Sequence, residues 1–303
     1  MPKRFRKIYI EISNVCNLRC AFCPDVVRGK KFMEPAHFKE IATAAVPLTD
    51  VVCFHLMGEP LLHPQFESYL NVCAALRLRV ELTTNGYLLD ESRAEALMNP
   101  ALSQINFSLQ SFESNFPERD NSLYLQRIFH FTERALRERP DLNITYRLWN
   151  DGAAGARVTN DRMIEKIRQG LGADFKPDEE IHRRKSVHIK GRVYLHRDVR
   201  FEWPHPGQPI RSTTGFCHGL SSHIGILADG TVVPCCLDKE GVVNLGNCGS
   251  RRLSQIINSS RAQAIYKGFR KGILVEDLCK RCTFISRFDT NTHRSKKAMP
   301  QSL

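Results

Sequence analysis

The stretch Lys7-Ile8-Tyr9-Ile10-Glu11-Ile12-Ser13-Asn14-Val15-Cys16-Asn17-Leu18-Arg19-Cys20-Ala21-Phe22-Cys23 sets an alternating apolar run directly ahead of three cysteines spaced C-x3-C-x2-C. Alternation rich in Ile and Tyr reads as a strand, so the thiols fall in the loop at its carboxyl end. Thiolates are soft ligands that suit iron–sulfur clusters or zinc. A four-iron cluster ordinarily takes four cysteines. This loop offers three, which leaves one iron open to a small chelating molecule. A closed zinc site wants a fourth Cys or His close by, and zinc stays as the minor alternative.

Outward from this stretch the chain alternates short apolar runs with longer amphipathic ones. Strands are expected at Ile8–Ile12, Asp50–Met57, Arg79–Thr84, Gln104–Gln110, Asn143–Leu148 and Ser186–Leu195. Helices are expected at Pro35–Val46, Phe66–Leu76, Leu89–Met98, Leu123–Arg137 and Arg162–Leu171. Regular β–α alternation implies a parallel sheet with helices outside it. The fold class is α/β, a partial (β/α)6 TIM-like barrel, in which reactive groups sit in the loops after the strands. The unusual motifs obey that rule: Cys16–Cys23 after strand one, Gly58-Glu59-Pro60 after strand two, Asn85-Gly86 after strand three, and Ser108–Ser111 at the end of strand four.

The expected organisation is a core over residues 1–200, a Pro- and Gly-rich linker over 201–216, a small α+β module over 217–290, and a basic tail over 291–303 expected to be disordered. In the module, His223–Leu227 and Thr231–Pro234 flank Ala228-Asp229-Gly230, a DG hairpin turn, and a helix follows from Leu253 to Phe269. The hairpin brings Cys217 and Cys235 together, and the helix returns Cys279 and Cys282 to the same place. Four thiolates suit a closed [4Fe–4S] cluster or a four-cysteine zinc ribbon. Cys235 and Cys236 point to opposite faces of an extended strand, so one of them ligates. Cys53, Cys73 and Cys248 read as packing residues. Asp238 is a candidate substrate base, with a turn carboxylate as the plainer reading.

Composition narrows the rest. The 303 residues include eleven cysteines, nine of them in two clusters at 16–23 and 217–282, and the formal net charge is +12. No run approaches the roughly 20 apolar residues that span a bilayer, and no apolar signal core follows the basic N-terminus, so a cytoplasmic protein without a membrane partner is expected. Disulfides are rare in that compartment, which favours metal or cluster ligation. Basic runs at 182–200 and 251–271 suit either solvated faces or a polyanionic partner such as RNA.

On these residues the chain resembles the radical S-adenosylmethionine (SAM) superfamily, whose hallmark is the C-x3-C-x2-C spacing with an aromatic residue, here Phe22, before the third Cys. The resemblance implies that Cys16, Cys20 and Cys23 hold a [4Fe–4S] cluster whose open iron binds SAM. Reductive cleavage then yields a 5′-deoxyadenosyl radical that abstracts hydrogen from a substrate. It further implies SAM contacts from Gly58, Glu59 and Pro60 (with Met57 replacing the motif's first Gly), from Asn85, from Ser108 and Gln110 at the ribose, and from Arg147 at the carboxylate. The second cysteine set resembles the auxiliary-cluster module called SPASM or its shorter Twitch form. Cys217, Cys235, Cys279 and Cys282 would hold one auxiliary cluster, because no cysteine follows Cys282. The implied activity is oxidation or modification of a small polyol, another metabolite or a peptide, with flavodoxin or ferredoxin as electron donor. An RNA-modifying enzyme and a zinc-ribbon interaction protein are the alternatives.

Overall fold

The computed structural model describes residues 3–176 and 186–288. β1 (Lys7–Ile10), α1 (Pro35–Ala45), β2 (Val51–Cys53), α2 (Phe66–Ala75), β3 (Arg79–Thr84), α3 (Glu91–Ala96) and β4 (Leu102–Ser108) open the chain. α4 (Gln110–Asn115), α5 (Ser122–Glu138), β5 (Asn143–Asp151), α6 (Ala156–Leu171), β6 (Ser186–Lys190) and β7 (Val193–Val199) follow. The C-terminal part holds β8 (His223–Ile226), β9 (Val232–Val233), α7 (Leu253–Ile257), α8 (Ser260–Arg270) and α9 (Asp277–Arg281).

One sheet runs in the order β6-β7-β5-β4-β3-β2-β1-β8-β9. β1 to β5 and then β7 pair in parallel, neighbour to neighbour. This is the open barrel that the alternation implies. Successive side chains on a strand point to opposite faces. Ile8, Ile10, Val80, Leu82, Ile105, Phe107, Ile144 and Tyr146 are buried in one core with Ile128 and Phe131 of α5 and Ile164 and Ile167 of α6. The intervening residues, including Tyr9, Thr83, Ser108 and Arg147, face the barrel interior and line its cavity. A parallel sheet is usually apolar on both faces; the polar residues on this inner face mark it as the working one.

Two expectations need correction, and one element was not foreseen. Ser186–Leu195 is not one strand: Gly191, at φ +52, reverses the chain, so β6 and β7 form an antiparallel hairpin and β7 is the sixth parallel strand. The helix expected over Leu253–Phe269 is broken at Asn258-Ser259, where the Ser259 hydroxyl accepts from Ala262 N at 3.3 Å and starts a new helix. A short helix not foreseen in the sequence, α4, follows β4 directly. The expected tail over 291–303 and basic residues 182–185 lie outside the described residues.

The DG hairpin forms, with Gly230 at φ +87. It is not a detached unit. β8 pairs in parallel with β1, from Lys7↔His223 to Ile10↔Ile226, so the C-terminal module extends the barrel sheet past its first strand. The stretch expected as a linker is likewise fastened: Arg211 N and Gly215 N donate to Lys280 O and Gly272 O.

Candidate active site

The thiol loop after β1 is braced from two sides. On one side, α4 supplies Asn115, whose Oδ1 accepts from Arg19 N at 2.8 Å and whose Nδ2 lies 3.1 Å from Cys20 Sγ. Ser114 Oγ accepts from Ala21 N at 2.9 Å. On the other side, Asn85 Nδ2 reaches Asn17 Oδ1 at 2.9 Å and lies 3.9 Å from Cys16 Sγ. Leu18 N points at Cys16 Sγ from 3.5 Å. The donors facing Cys20, with the neighbouring Cys23 thiol foremost, lower its pKa, while Cys23 is pushed up. Amide donors aimed at sulfur are what a cluster-ligating loop requires, so these residues fit the three-thiol cluster. Ser114 and Asn115 escaped sequence reading, although their polar run just after β4 was visible.

Behind the loop sits Glu59, buried, its carboxylate accepting from Thr84 Oγ1 at 2.7 Å, Leu61 N at 3.0 Å and Asn85 N at 2.8 Å. Burial raises its pKa, and these three bonds oppose the rise. Glu59 therefore staples the loop after β2 to the loop after β3. Pro60 begins the short 3-10 turn Pro60–Leu62. Gly58 has φ +75, and a Cβ there would stand 2.4 Å from Ser13 O. The motif glycine is demanded by close backbone approach.

Inside the barrel lies a cavity of about 340 Å³, bordered by Phe22, Cys23, Ser108, Gln110 and Arg147 and also by Cys217, Cys235, Cys279 and Cys282. Cys23 of the first expected cysteine set and all four cysteines of the second thus face one chamber, while Cys16 and Cys20 lie outside its lining. Arg147 donates to Thr83 Oγ1 at 3.1 Å, and its guanidinium carbon lies 4.6 Å from the Trp149 ring centroid. Burial lowers its pKa to about 10, which leaves it cationic at neutral pH. Gln110 Oε1, Arg147 Nε, Trp149 Nε1 and His55 Nδ1 are buried without a partner, and all four residues line this cavity. Buried polar atoms are nearly always satisfied. Four orphans around one chamber fit a polar ligand such as SAM and its reaction partner.

At the far side, burial pushes the Cys217 thiol up to about 11 and raises Cys235, Cys279 and Cys282, with Cys217 adding to the rise at Cys235 and Cys279. Such a dry set of thiols is compensated by a bound cationic centre. Cys235 and Cys236 lie past the end of β9 in a bend and turn, not on an extended strand as expected, and Cys236 borders the same cavity beside Tyr9 of β1. Cys53 and Cys73 are fully buried, and Cys248 packs against the core. Asp238 borders the cavity, yet its two oxygens accept from Val242 N and Val243 N, both at 2.8 Å. That is the geometry of a turn carboxylate, with one donor on each oxygen. Among the described residues no three His, Cys, Asp or Glu side chains converge on a single ion.

Two family descriptions match the chain: the radical SAM superfamily over residues 10–148, and the SPASM iron–sulfur cluster-binding domain over residues 217–283. Residues 10–148 thus form a radical SAM domain and residues 217–283 a SPASM-type module, and these domains bring with them [4Fe–4S] clusters and SAM. The iron–sulfur match displaces the zinc-ribbon reading. Among curated proteins it is 31% identical over 104 residues to the S-adenosyl-L-methionine-dependent 2-deoxy-scyllo-inosamine dehydrogenase of Niallia circulans, covering 32% of this chain and 42% of that protein. It is 27% identical over 126 residues to the PqqA peptide cyclase of Gluconobacter oxydans, covering 41% of this chain and 35% of that protein. These matches span less than half of either relative. Among solved structures, BtrN in complex with AdoMet and 2-DOIA aligns with TM-score 0.58 and 20% identity over 93% of this chain and 94% of that one, which shows a shared fold.

Proposed function

We propose that the protein is a radical SAM enzyme that oxidises or rearranges a small hydroxylated metabolite or a peptide, with one auxiliary cluster beside the substrate. The observation that carries this reading is the shared chamber: Phe22, Cys23, Ser108, Gln110 and Arg147 border the same cavity as Cys217, Cys235, Cys279 and Cys282, with Gly58, Glu59, Pro60 and Asn85 outside its lining. When bound, the three-thiol cluster would supply the electron that splits SAM into methionine and a 5′-deoxyadenosyl radical, and the auxiliary cluster a place for a second electron to go.

The chain's own task is to position and exclude. Arg147, cationic and stacked on Trp149, suits the SAM carboxylate. The Gly58 backbone, held by the Glu59 staple, suits its amino group. Gln110 and Ser108 suit the ribose. Phe22, Phe201, Trp203, Phe284 and Phe288 wall the chamber and keep water from a radical. A flavodoxin or ferredoxin is the electron donor this reading calls for. Of the basic residues behind the RNA alternative, two are paired within the chain: Lys190 with Glu133 at 3.0 Å and Arg261 with Glu276 at 2.8 Å. No helix among the described residues is long and apolar enough to cross a membrane.

Anaerobic reconstitution tests the proposal. Two four-iron clusters require about eight irons per chain, and reductant plus SAM is expected to release 5′-deoxyadenosine. Replacing Cys16, Cys20 and Cys23 with Ala is expected to abolish that release and retain roughly half of the iron. Cleavage persisting in the triple variant sinks the reading.

A further inference from the structure

Glu11 lies one residue past β1 and is 0% exposed. Its carboxylate serves three separate loops. Oε1 accepts from Met57 N at 3.2 Å, immediately before Gly58. Oε2 accepts from Ala228 N at 3.0 Å, in the hairpin of the auxiliary module. Both oxygens meet the Arg28 guanidinium, with Oε2 at 2.6 Å from Nη2. Arg28 follows the third thiol of the radical-cluster loop by five residues, and it continues the network outward. Its Nε donates to Lys239 O at 2.6 Å, and its main-chain N donates to Glu240 Oε2 at 3.1 Å. Val27 N donates to Glu240 Oε1 at 3.1 Å, and Lys239 Nζ returns to Asp25 O at 2.6 Å. Lys239 and Glu240 follow Cys235 by four and five residues. The segments trailing the two cysteine loops are therefore bonded directly to each other, and the shared anchor also holds the strand-two SAM loop.

A fully buried carboxylate costs several kcal/mol of desolvation unless it is paired and hydrogen-bonded. A hydrophobic residue at position 11 would hold a strand end more cheaply. What a carboxylate adds is directional bonding to three partners at once. We infer that Glu11 and Arg28 form a positioning pair that holds the thiol loop, the SAM loop after β2 and the auxiliary module in one register, and so fixes the spacing of the two clusters around SAM. The inference rests on the radical SAM reading above and adds to it a residue pair that touches neither cluster.

The experiment uses the reconstituted holoenzyme with SAM as the probe. Arg28→Ala, Arg28→Lys and Glu11→Gln are compared with wild type for iron content, SAM dissociation constant, and dipolar coupling between the reduced clusters by electron paramagnetic resonance. All seven ligand thiols remain, so full iron is expected. Arg28→Ala is expected to weaken SAM binding about tenfold, the scale of one lost charge-assisted bond, and to change the inter-cluster coupling. Arg28→Lys keeps the charge but lacks the fork that spans Glu11 and Lys239 O, so it is expected to restore affinity in part. Should Arg28→Ala lose iron or fail to fold, the near-isosteric Glu11→Gln carries the test. Variants with lowered thermal stability but wild-type SAM affinity and coupling would reduce the pair to structural glue and overturn the inference alone. A wild-type holoenzyme that binds no SAM would overturn the proposed function, and the pair's role with it.

Discussion

Gly58→Ala is the sharpest single perturbation of the SAM-binding rim. Gly58 has φ +75, and its missing Cβ would sit 2.4 Å from Ser13 O and 2.9 Å from the Asn14 Cα and carbonyl carbon. These are main-chain atoms, so no side-chain rotation relieves the clash. An L-residue in the left-handed region costs about 1–2 kcal/mol, and overpacking against fixed atoms about 1–3 kcal/mol more. The strain falls where Glu59 N donates to Val15 O at 2.8 Å, the bond that docks the SAM loop onto the thiol loop. If about 3 kcal/mol is discharged by opening that contact, SAM affinity should drop about a hundredfold, at 1.4 kcal/mol per decade. Equilibrium binding of SAM to the anaerobic, iron-loaded variant measures this. Gly29→Ala is the control: nothing lies within 4 Å of the added Cβ, and affinity should be unchanged. Wild-type affinity in Gly58→Ala would show that the approach of the two loops is not what shapes the SAM site.

Three further outcomes follow from the same geometry. Asn115→Ala removes the amide 3.1 Å from Cys20 Sγ and the acceptor for Arg19 N; fewer donors to sulfur should make the cluster potential more negative, as redox titration of its paramagnetic signal would read. Arg147→Lys gives up a planar group that both bonds Thr83 and stacks on Trp149, so SAM binding should weaken about tenfold although the charge is kept. With Cys235 as the ligand, Cys235→Ser should remove the auxiliary cluster and about half of the iron, whereas Cys236→Ser should keep the iron although both residues border the cavity; iron assays on the two variants separate these outcomes.

Features set by neighbours in the chain were legible in the sequence. Three thiols directly after an alternating strand must lie at its carboxyl end, and a DG turn between two short apolar runs must bring Cys217 near Cys235. The strand-end rule then gathered Gly58, Asn85 and Ser108 on one rim before any coordinates. Where reading failed, the local signal was ambiguous. The alternation of Val187, Ile189, Val193 and Leu195 runs through Gly191, and only the glycine's left-handed backbone marks the reversal. The periodicity from Leu253 to Phe269 likewise conceals the Ser259 cap.

The anchoring of the site belongs to a different category. Glu11 looks like the polar half of an alternating strand, a residue that would ordinarily face solvent. Its partner Ala228 is 217 positions away. Only the parallel register of β8 on β1, with Glu11 N donating to Ile226 O at 2.8 Å, brings that amide over the carboxylate. The pairing of Asn115 with Cys20 spans 95 positions and depends on α4 folding back beneath the thiol loop. The candidate ligands were readable because chemistry fixes their spacing along the chain. The groups that orient them are reached through the sheet, whose register depends on the packing of every strand between. It follows that substitutions at Glu11 or Asn115, which no motif marks, should disturb SAM binding and cluster potential as much as substitutions within the motifs themselves.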